Sequence, residues 1–197
     1  MVETKVLSCG RRQRFYRESF MDVFEAILKR KSVRSYEDKP VSKETLVKVL
    51  DAARVAPSAK NVQPWHFIVV TDKKKREELS KGIFAKWLHN APAVIAACGD
   101  TKASPKWYAV DTALALENMI LAATGEGLGT CCVGSFDEGD VKKLLGIPES
   151  LRVVALLAVG YASEKKSVTS KLFSFVKGKR KTLEEIVSLE AYGESFS

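Results

Sequence analysis

Histidine and cysteine are scarce in this chain of 197 residues, and their placement excludes several kinds of site. The two histidines, His66 and His89, have no serine and aspartate partners in a hydrolase pattern, so we expect both to be structural. The four cysteines lack the spacing of a zinc site, and we expect no metal. Cys131 and Cys132 are adjacent and pair poorly with each other. Reduced thiols in a cytoplasmic protein fit this pattern best.

Long apolar runs are also absent, since no run reaches the length needed to cross a bilayer. The first twenty residues carry four arginines without a long apolar stretch, so we see no secretory signal. Residues 1–20 are interpreted as an exposed N-terminal extension, and residues 21–197 as a single domain with a sizeable core. Whether the extension takes part in function stays open.

The formal net charge of +8 is large enough to raise the question of a nucleic-acid partner. The cations are scattered over both termini and two short lysine runs, and no nucleic-acid motif accompanies them. Attraction of anionic cofactors and substrates explains the excess equally well. We therefore expect no nucleic-acid partner and no membrane partner.

Hydrophobic periodicity predicts the main elements. Apolar residues recur at the spacing of one helical face over residues 23–28, and again over residues 46–53 behind a capping Ser42. Near-continuous apolar runs predict four strands, at residues 65–70, 93–98, 130–133 and 152–159. Such a run is typical of a strand covered on both faces, which we expect for residues 65–70. Strands separated by helices indicate an α/β or α+β sandwich.

Two further helices are predicted with particular features. The segment 107–123 is apolar on almost every side, which is typical of a helix at the centre of a fold or in a dimer interface. Its polar exceptions, Asp111 and Asn118, need partners if they are buried. Near the C-terminus, Thr182 and Glu185 have the spacing of a capping box, which predicts a last short helix.

Residues 30–34 read RKSVR and place three cations and a hydroxyl just after the first predicted helix. Arginine offers a planar set of donors to phosphate oxygens, and serine adds another donor. The alternative is a solvated helix end, because cations near the last turn also complement the helix dipole. The residues alone leave both interpretations open.

This segment resembles the opening motif of the nitroreductase family of FMN-dependent oxidoreductases. Three later stretches resemble the other family motifs in the same order: PSAKNVQPWHF at 57–67, GLGTCCVG at 127–134, and Arg180 followed by LEE at 183–185. The resemblance runs from Met21 to about Tyr192. It implies an α+β fold, a three-layer α/β/α sandwich with a mostly antiparallel central sheet and helices on both faces, made into an intertwined homodimer.

The resemblance assigns the flavin phosphate to Arg30 and Ser32, with Lys31 beside them. Arg34 is implied as the cation near N1 and O2 of the flavin ring, where it would stabilise the reduced anion. No residue stands out as a dedicated catalytic acid or base, which suits chemistry carried by N5 of the cofactor.

The strip implied to contact the ring from the partner subunit consists of Pro57, Ser58 and Ala59. Asn61 and Gln63 are further candidates in the same loop. The alternative for Ser58 and Asn61 is that they only build turns. In the family arrangement, the strip of one subunit faces the phosphate cluster of the other, so each site is composite.

The third and fourth motifs supply the remaining contacts. Val133 and Gly134 are implied as the backbone pair facing N5 and O4, although Gly134 alone also fits a bend at a strand end. Arg180 is implied as the last phosphate ligand, with a solvated charge as the alternative. Some relatives hold a lysine two residues earlier, where this chain has a glycine flanked by Lys177 and Lys179. Which of the two lysines reaches the phosphate stays open.

The function implied is ping-pong hydride transfer from NAD(P)H through flavin N5 to an electron-poor acceptor, a nitroaromatic or a quinone. FMN is expected rather than FAD, because the matched motifs treat the phosphate as terminal and no GxGxxG is present. Alternatives are another flavin reaction on the same fold (reductive dehalogenation, flavin fragmentation or heterocycle oxidation), or a flavin-binding redox sensor. The sequence names neither the physiological acceptor nor the preferred nicotinamide cofactor.

Overall fold

The computed structural model describes residues 21–81, 86–164 and 179–196. The chain divides into two compact units, 1–165 and 166–197, and each is described by itself. The predicted extension at residues 1–20 lies outside the described residues. In the part of the chain that is described, no helix is long and apolar enough to cross a membrane.

The described part of the first unit contains five α-helices and a four-stranded sheet. The helices are α1 (Val23–Lys29), α2 (Lys43–Arg54), α3 (Lys73–Leu79), α4 (Tyr108–Gly125) and α5 (Glu138–Leu145). The strands are β1 (Trp65–Val70), β2 (Ala93–Asp100), β3 (Gly129–Val133) and β4 (Leu151–Gly160). Short 3-10 turns span Ala59–Asn61 and Lys86–Asn90.

Four of the five described α-helices, all except α4, begin at a residue whose side chain caps the helix. Ser42 accepts a hydrogen bond from the Thr45 amide at the start of α2, and Asp72 and Asp137 cap α3 and α5 in the same way. Each cap satisfies an amide that would otherwise lack a partner. Gly146 ends α5 in the left-handed conformation, which glycine adopts without a side-chain clash.

The sheet has the order β1-β2-β4-β3, and all three pairings are antiparallel. Alternate residues of the central strands enter different cores, as the period of two requires. Val94 and Ala96 pack with α3, α5 and the turn at Lys86–Asn90, whereas Ile95 and Ala97 pack with α2 and α4. Helices therefore cover both faces, and the expected α+β three-layer sandwich is confirmed.

One prediction about burial holds and another needs correction for the single chain. β1 is an outer strand that contributes to both cores, Ile68 and Val70 to one and Trp65 and Phe67 to the other, as expected for a sheet covered on both faces, although His66 and Val69 are exposed. α4 buries one side, but Val110 and Leu114 on another side are about half exposed. A near-continuous apolar run does not distinguish a covered face from a face that the chain itself leaves open.

The described part of the second unit, residues 179–196, does not contain the predicted last helix. The Thr182 amide donates to the Glu185 carboxylate at 2.7 Å, which is one half of the predicted capping box. The Val187 amide donates to the Leu183 carbonyl, completing one helical turn that is not continued. One turn is expected to be marginal, because helix nucleation is unfavourable without tertiary packing.

Candidate flavin site

The basic segment 30–34 lies against β3. α1 ends at Arg30, whose amide donates to the Ala26 carbonyl at 2.9 Å. Two residues later, Ser32 forms a parallel bridge with Thr130, and the Val33 amide donates to the Thr130 carbonyl at 2.8 Å. The backbone thus extends the sheet by a short parallel pairing, which holds the cations at its edge.

Gly129 has no side chain, and Val33 packs in the space that this leaves. The basic segment can therefore lie close to β3. Val33 is buried, and a Cβ added to Gly129 would lie 2.6 Å from Val33 Cγ2. A side chain at position 129 would therefore push the basic segment away from β3. Tyr36, a buried residue just beyond the segment, donates its hydroxyl to the Val33 carbonyl at 2.6 Å and secures the other end.

Arg30 and Arg34 lie near enough to Cys131, in the middle of β3, to act on its thiol. Burial raises the pKa of the Cys131 thiol, while Arg34, the Ser32 hydroxyl and Arg30 act to lower it. Among the described residues, Arg30 and Lys31 form no ion pair with a carboxylate. Both line a cavity of about 230 Å³. This donor set suits a phosphate group.

The second motif forms a loop with an unusual backbone. Lys60, Asn61 and Gln63 all have φ between +52° and +55°, the left-handed region that residues other than glycine rarely adopt. Each such residue costs roughly 1 kcal/mol or more of conformational free energy. Non-glycine residues in this region cluster at functional sites, where surrounding contacts hold them.

Hydrogen bonds hold this loop from inside and from outside. Within it, the Gln63 amide donates to Ser58 Oγ at 2.9 Å, and the Asn61 amide donates to the Ser58 carbonyl at 2.9 Å. From outside, the buried carboxylate of Asp111 in α4 accepts the Ala59 amide, at 3.2 and 3.3 Å to its two oxygens. Asp111 was predicted only to need a partner, and the sequence carries no signal that this partner is Ala59.

The third motif ends β3. Val133 is buried at the last position of the strand, and Gly134 follows it as an exposed residue. A Cβ added to Gly134 would meet nothing within 4 Å, so the backbone there faces open space. Backbone amides that face open space at a strand end are accessible to a ligand.

Within one chain, the structure brings some of the predicted residues together and separates others. The basic segment pairs with β3, and Val133 and Gly134 lie at the end of the same strand. β3 is one outer strand of the sheet. The loop 57–63 leads into β1, the opposite outer strand, and two strands lie between them. Three inter-strand steps correspond to about 14 Å. Arg180 belongs to the second unit, where it is exposed, while Lys177 lies outside the described residues.

No group of three or more His, Cys, Asp or Glu side chains within residues 21–81, 86–164 and 179–196 is arranged to hold a metal ion.

Most of the chain is similar to known proteins. The model of the nitroreductase family matches residues 27–90 and 80–161. A protein of Archaeoglobus fulgidus with the provisional name NADH dehydrogenase/NAD(P)H nitroreductase is 38% identical over 153 residues, which are 74% of this chain and 88% of that protein.

Solved structures agree with the family match. A nitroreductase family protein from Clostridium difficile 630 is 33% identical with a TM-score of 0.74, covering 87% of this chain and 99% of that one. A structure named FMN-dependent nitroreductase from Clostridium difficile R20291 is 32% identical with a TM-score of 0.66, covering 80% and 98%. The four motifs, the antiparallel sheet between helical layers and these matches have one explanation: the chain belongs to the nitroreductase family and is an oxidoreductase.

Proposed function

We propose that this protein is an FMN-dependent oxidoreductase that takes hydride from NAD(P)H and passes it to an electron-poor acceptor of the nitroaromatic or quinone class. The observation that carries the proposal is the basic segment 30–34, which is paired with β3 and whose Arg30 and Lys31 form no ion pair with any carboxylate in the described part of the chain. Membership of the nitroreductase family and the FMN-dependent structural neighbour support the choice of cofactor.

The phosphate end of the site is assigned to Arg30, Lys31 and Ser32. Arginine binds phosphate through two parallel hydrogen bonds, lysine adds a point charge, and the Ser32 hydroxyl adds a donor. We assign Arg180 as the last phosphate ligand on the family resemblance alone. The formal net charge of +8 favours the approach of an anionic cofactor.

The ring end of the site is assigned to the remaining motif residues. FMN, when bound, supplies hydride acceptance and donation at N5. Arg34 stabilises negative charge at the pyrimidine edge, since a fixed cation beside a developing anion lowers its free energy. The Val133 and Gly134 backbone presents the N–H group that faces N5 and O4.

The loop 57–63 is assigned to the ring of the neighbouring site. Pro57, Ser58 and Ala59 form the contacting strip, and the exposed amide side chains of Asn61 and Gln63 offer donors and acceptors for its polar edge. The left-handed backbone of the loop supports a binding role. It exposes these groups at a conformational cost, and such costly conformations cluster at functional sites.

The positions of these motifs support a homodimer with two composite sites. One chain places the loop and the basic segment beside opposite outer strands, so a second copy would complete each site. The layer of α1, α2 and α4 also carries most of the large exposed apolar side chains in the described part of the first unit: Val23, Phe24, Ile27, Leu28, Val47, Val55, Trp107, Val110 and Leu114. Apolar patches of this kind mark association surfaces.

The experiment that tests the function begins with the cofactor released by heat from purified protein. We expect FMN in the supernatant, bleaching of the bound flavin by NAD(P)H under anaerobic conditions, and reoxidation by members of a nitroaromatic and quinone panel. FAD in place of FMN, or no binding at micromolar FMN, contradicts the cofactor assignment. A flavin that NAD(P)H fails to reduce contradicts the enzymatic assignment and favours a flavin-binding sensor.

A further inference from the structure

The loop 57–63 adopts a conformation that its own residues do not favour. Three non-glycine residues, Lys60, Asn61 and Gln63, have positive φ within four positions. Ala59, Lys60 and Asn61 form a 3-10 turn, which is short and has strained hydrogen-bond geometry. A loop of this kind keeps one shape only when contacts from outside it over-determine that shape.

Asp111 supplies such a contact from a rigid element. Asp111 is 3% exposed as a residue, and its carboxylate accepts the Ala59 amide with both oxygens within 3.3 Å. Asp111 lies in the first turn of α4, where the helix dipole stabilises a negative charge. A hydrogen bond to an ionised carboxylate is stronger than one between neutral groups.

The N-terminal turn of α4 is itself held close to the sheet. Gly99 in β2 has no side chain where Tyr108 packs, and a Cβ there would lie 2.7 Å from Tyr108 Cδ2. The Asp100 amide donates to the Pro64 carbonyl at 2.8 Å and attaches the end of the loop to the same strand. Asp111 and the loop are therefore positioned by neighbouring residues of β2.

We propose that Asp111 is a positioning residue that holds the loop 57–63 in the shape that receives the flavin ring. The flavin part of this inference rests on the proposed function, whereas the loop part stands on the geometry alone. Asp111 contacts the backbone of the strip, and its effect on the cofactor passes through Ala59.

The chain offers a matched control in the same helix. Asn118 also lies in α4, and its side chain donates to a backbone carbonyl, that of Ala52 in α2, at 3.2 Å. Asn118→Ala removes one helix-to-backbone hydrogen bond without touching the loop. Asp111→Asn keeps an oxygen that can accept the Ala59 amide but removes the charge, so it is the conservative variant.

The first readout needs no flavin. Trypsin cleaves after lysine, and Lys60 lies exposed within the loop, so the rate of cleavage after Lys60 in the flavin-free protein reports how firmly the loop is held. We expect Asp111→Ala to raise this rate at least about tenfold, the effect of losing one charge-assisted hydrogen bond. Asp111→Asn should restore much of the protection, and Asn118→Ala should cleave at the wild-type rate even where urea unfolding shows that it is less stable.

The second readout is FMN binding, followed by quenching of flavin fluorescence and by the visible spectrum of the bound flavin. We expect Asp111→Ala to bind FMN at least about tenfold more weakly with a shifted spectrum, Asp111→Asn to recover much of the affinity, and Asn118→Ala to match the wild type. Wild-type cleavage in Asp111→Ala, or equal effects of Asp111→Ala and Asn118→Ala, overturns the proposal. Faster cleavage of Asp111→Ala together with wild-type FMN affinity also overturns the proposal. If the wild type binds no FMN, the proposed function fails, and the cleavage rates alone decide whether Asp111 positions the loop.

Discussion

Gly129 controls how closely the basic segment approaches β3, because Val33 occupies the space of its missing side chain. We predict that Gly129→Ala weakens FMN binding at least about tenfold and lowers the free energy of unfolding by about 1–3 kcal/mol, as overpacking does. Fluorescence titration with FMN and urea unfolding measure the two effects.

A second glycine serves as the control. Gly125 ends α4 without a positive φ, and a Cβ there would meet nothing within 4 Å. Gly125→Ala should leave FMN affinity unchanged and stabilise the protein by up to about 1 kcal/mol. If Gly129→Ala also binds FMN normally, the packing of Val33 on Gly129 does not position the cations.

Arg34 carries a separate prediction at the residue scale. Arg34→Gln should lower the midpoint potential of bound flavin by about 20–60 mV, equivalent to about 1–3 kcal/mol for two electrons, because the reduced anion loses a counter-charge. Lys31→Gln is the control, since it removes a charge assigned to the phosphate and should weaken binding without moving the potential. Spectroelectrochemical titration of flavin-loaded protein makes the comparison. An unchanged potential in Arg34→Gln removes Arg34 from this role.

At the scale of elements, a cluster of charges attaches α5 to β4. The Glu138 carboxylate accepts from Arg152 Nε and from the Val153 amide, each at 2.9 Å. Lys142, which is 9% exposed, lies 3.8 Å from Glu138 and 3.1 Å from Glu149. Burial acts to raise the pKa of Glu138, but these hydrogen bonds and cations together hold it below its ordinary value of 4.5. The carboxylate therefore stabilises the fold in its ionised form.

This shift predicts a pH-dependent effect of Glu138→Gln. A carboxyl whose folded pKa is depressed contributes stability above its unfolded pKa, and this contribution is lost as the pH falls through the folded value. We expect the variant to be less stable than the wild type by about 1–3 kcal/mol near pH 7. The difference should shrink steadily below pH 4.5.

Urea unfolding across this pH range measures the difference. The control is Glu78→Gln, which breaks an exposed pair with Lys81 and should change stability by less than about 1 kcal/mol. A Glu138→Gln effect that stays constant down to low pH would show that shape and packing, rather than the charge, make the contribution.

At the scale of the whole molecule, the exposed apolar side chains of α1 are the clearest sign of a partner. Phe24 and Leu28 are 72% and 85% exposed in the single chain. We predict a homodimer that buries about 2,000 Å² or more, the size of an obligate interface. Phe24→Glu should shift the protein towards single chains in sedimentation equilibrium. Since each proposed site is composite, the variant should lose FMN over the same dilution range.

Lys74→Glu provides the control for this experiment. It places the same glutamate on α3, in the helical layer on the other face of the sheet, and should leave both assembly and FMN binding unchanged. A single-chain Phe24→Glu species that binds FMN as tightly as the wild type would contradict the composite site.

The C-terminal unit also carries exposed apolar side chains. In residues 179–196, the large apolar side chains Leu183, Ile186, Leu189, Tyr192 and Phe196 are exposed. A segment of this length with an open apolar surface cannot bury enough area to fold alone. Its contribution through Arg180 stays a prediction, as does the assignment of residues 21–197 to a single domain. Among the described residues, Cys98, Cys131 and Cys132 are free thiols.

The amino-acid sequence by itself determined the type and order of most elements. Helical periodicity, capping residues such as Ser42, and apolar strand runs act over a few residues, so they are readable without the fold. The spacing of the RKSVR and PSAKNVQPW segments was equally local and identified the family. The prediction of the last helix was wrong because a capping box specifies only where a helix begins, whereas packing decides whether it continues.

Only the tertiary structure decided which motif lies beside which outer strand, because strand order depends on how the whole chain packs. It also decided that Asp111 binds the Ala59 amide, a contact between residues 52 positions apart. The left-handed backbone at Lys60, Asn61 and Gln63 was equally hidden, because none of these residues is a glycine. Such contacts connect distant segments through packing, so no short-range pattern in the sequence encodes them.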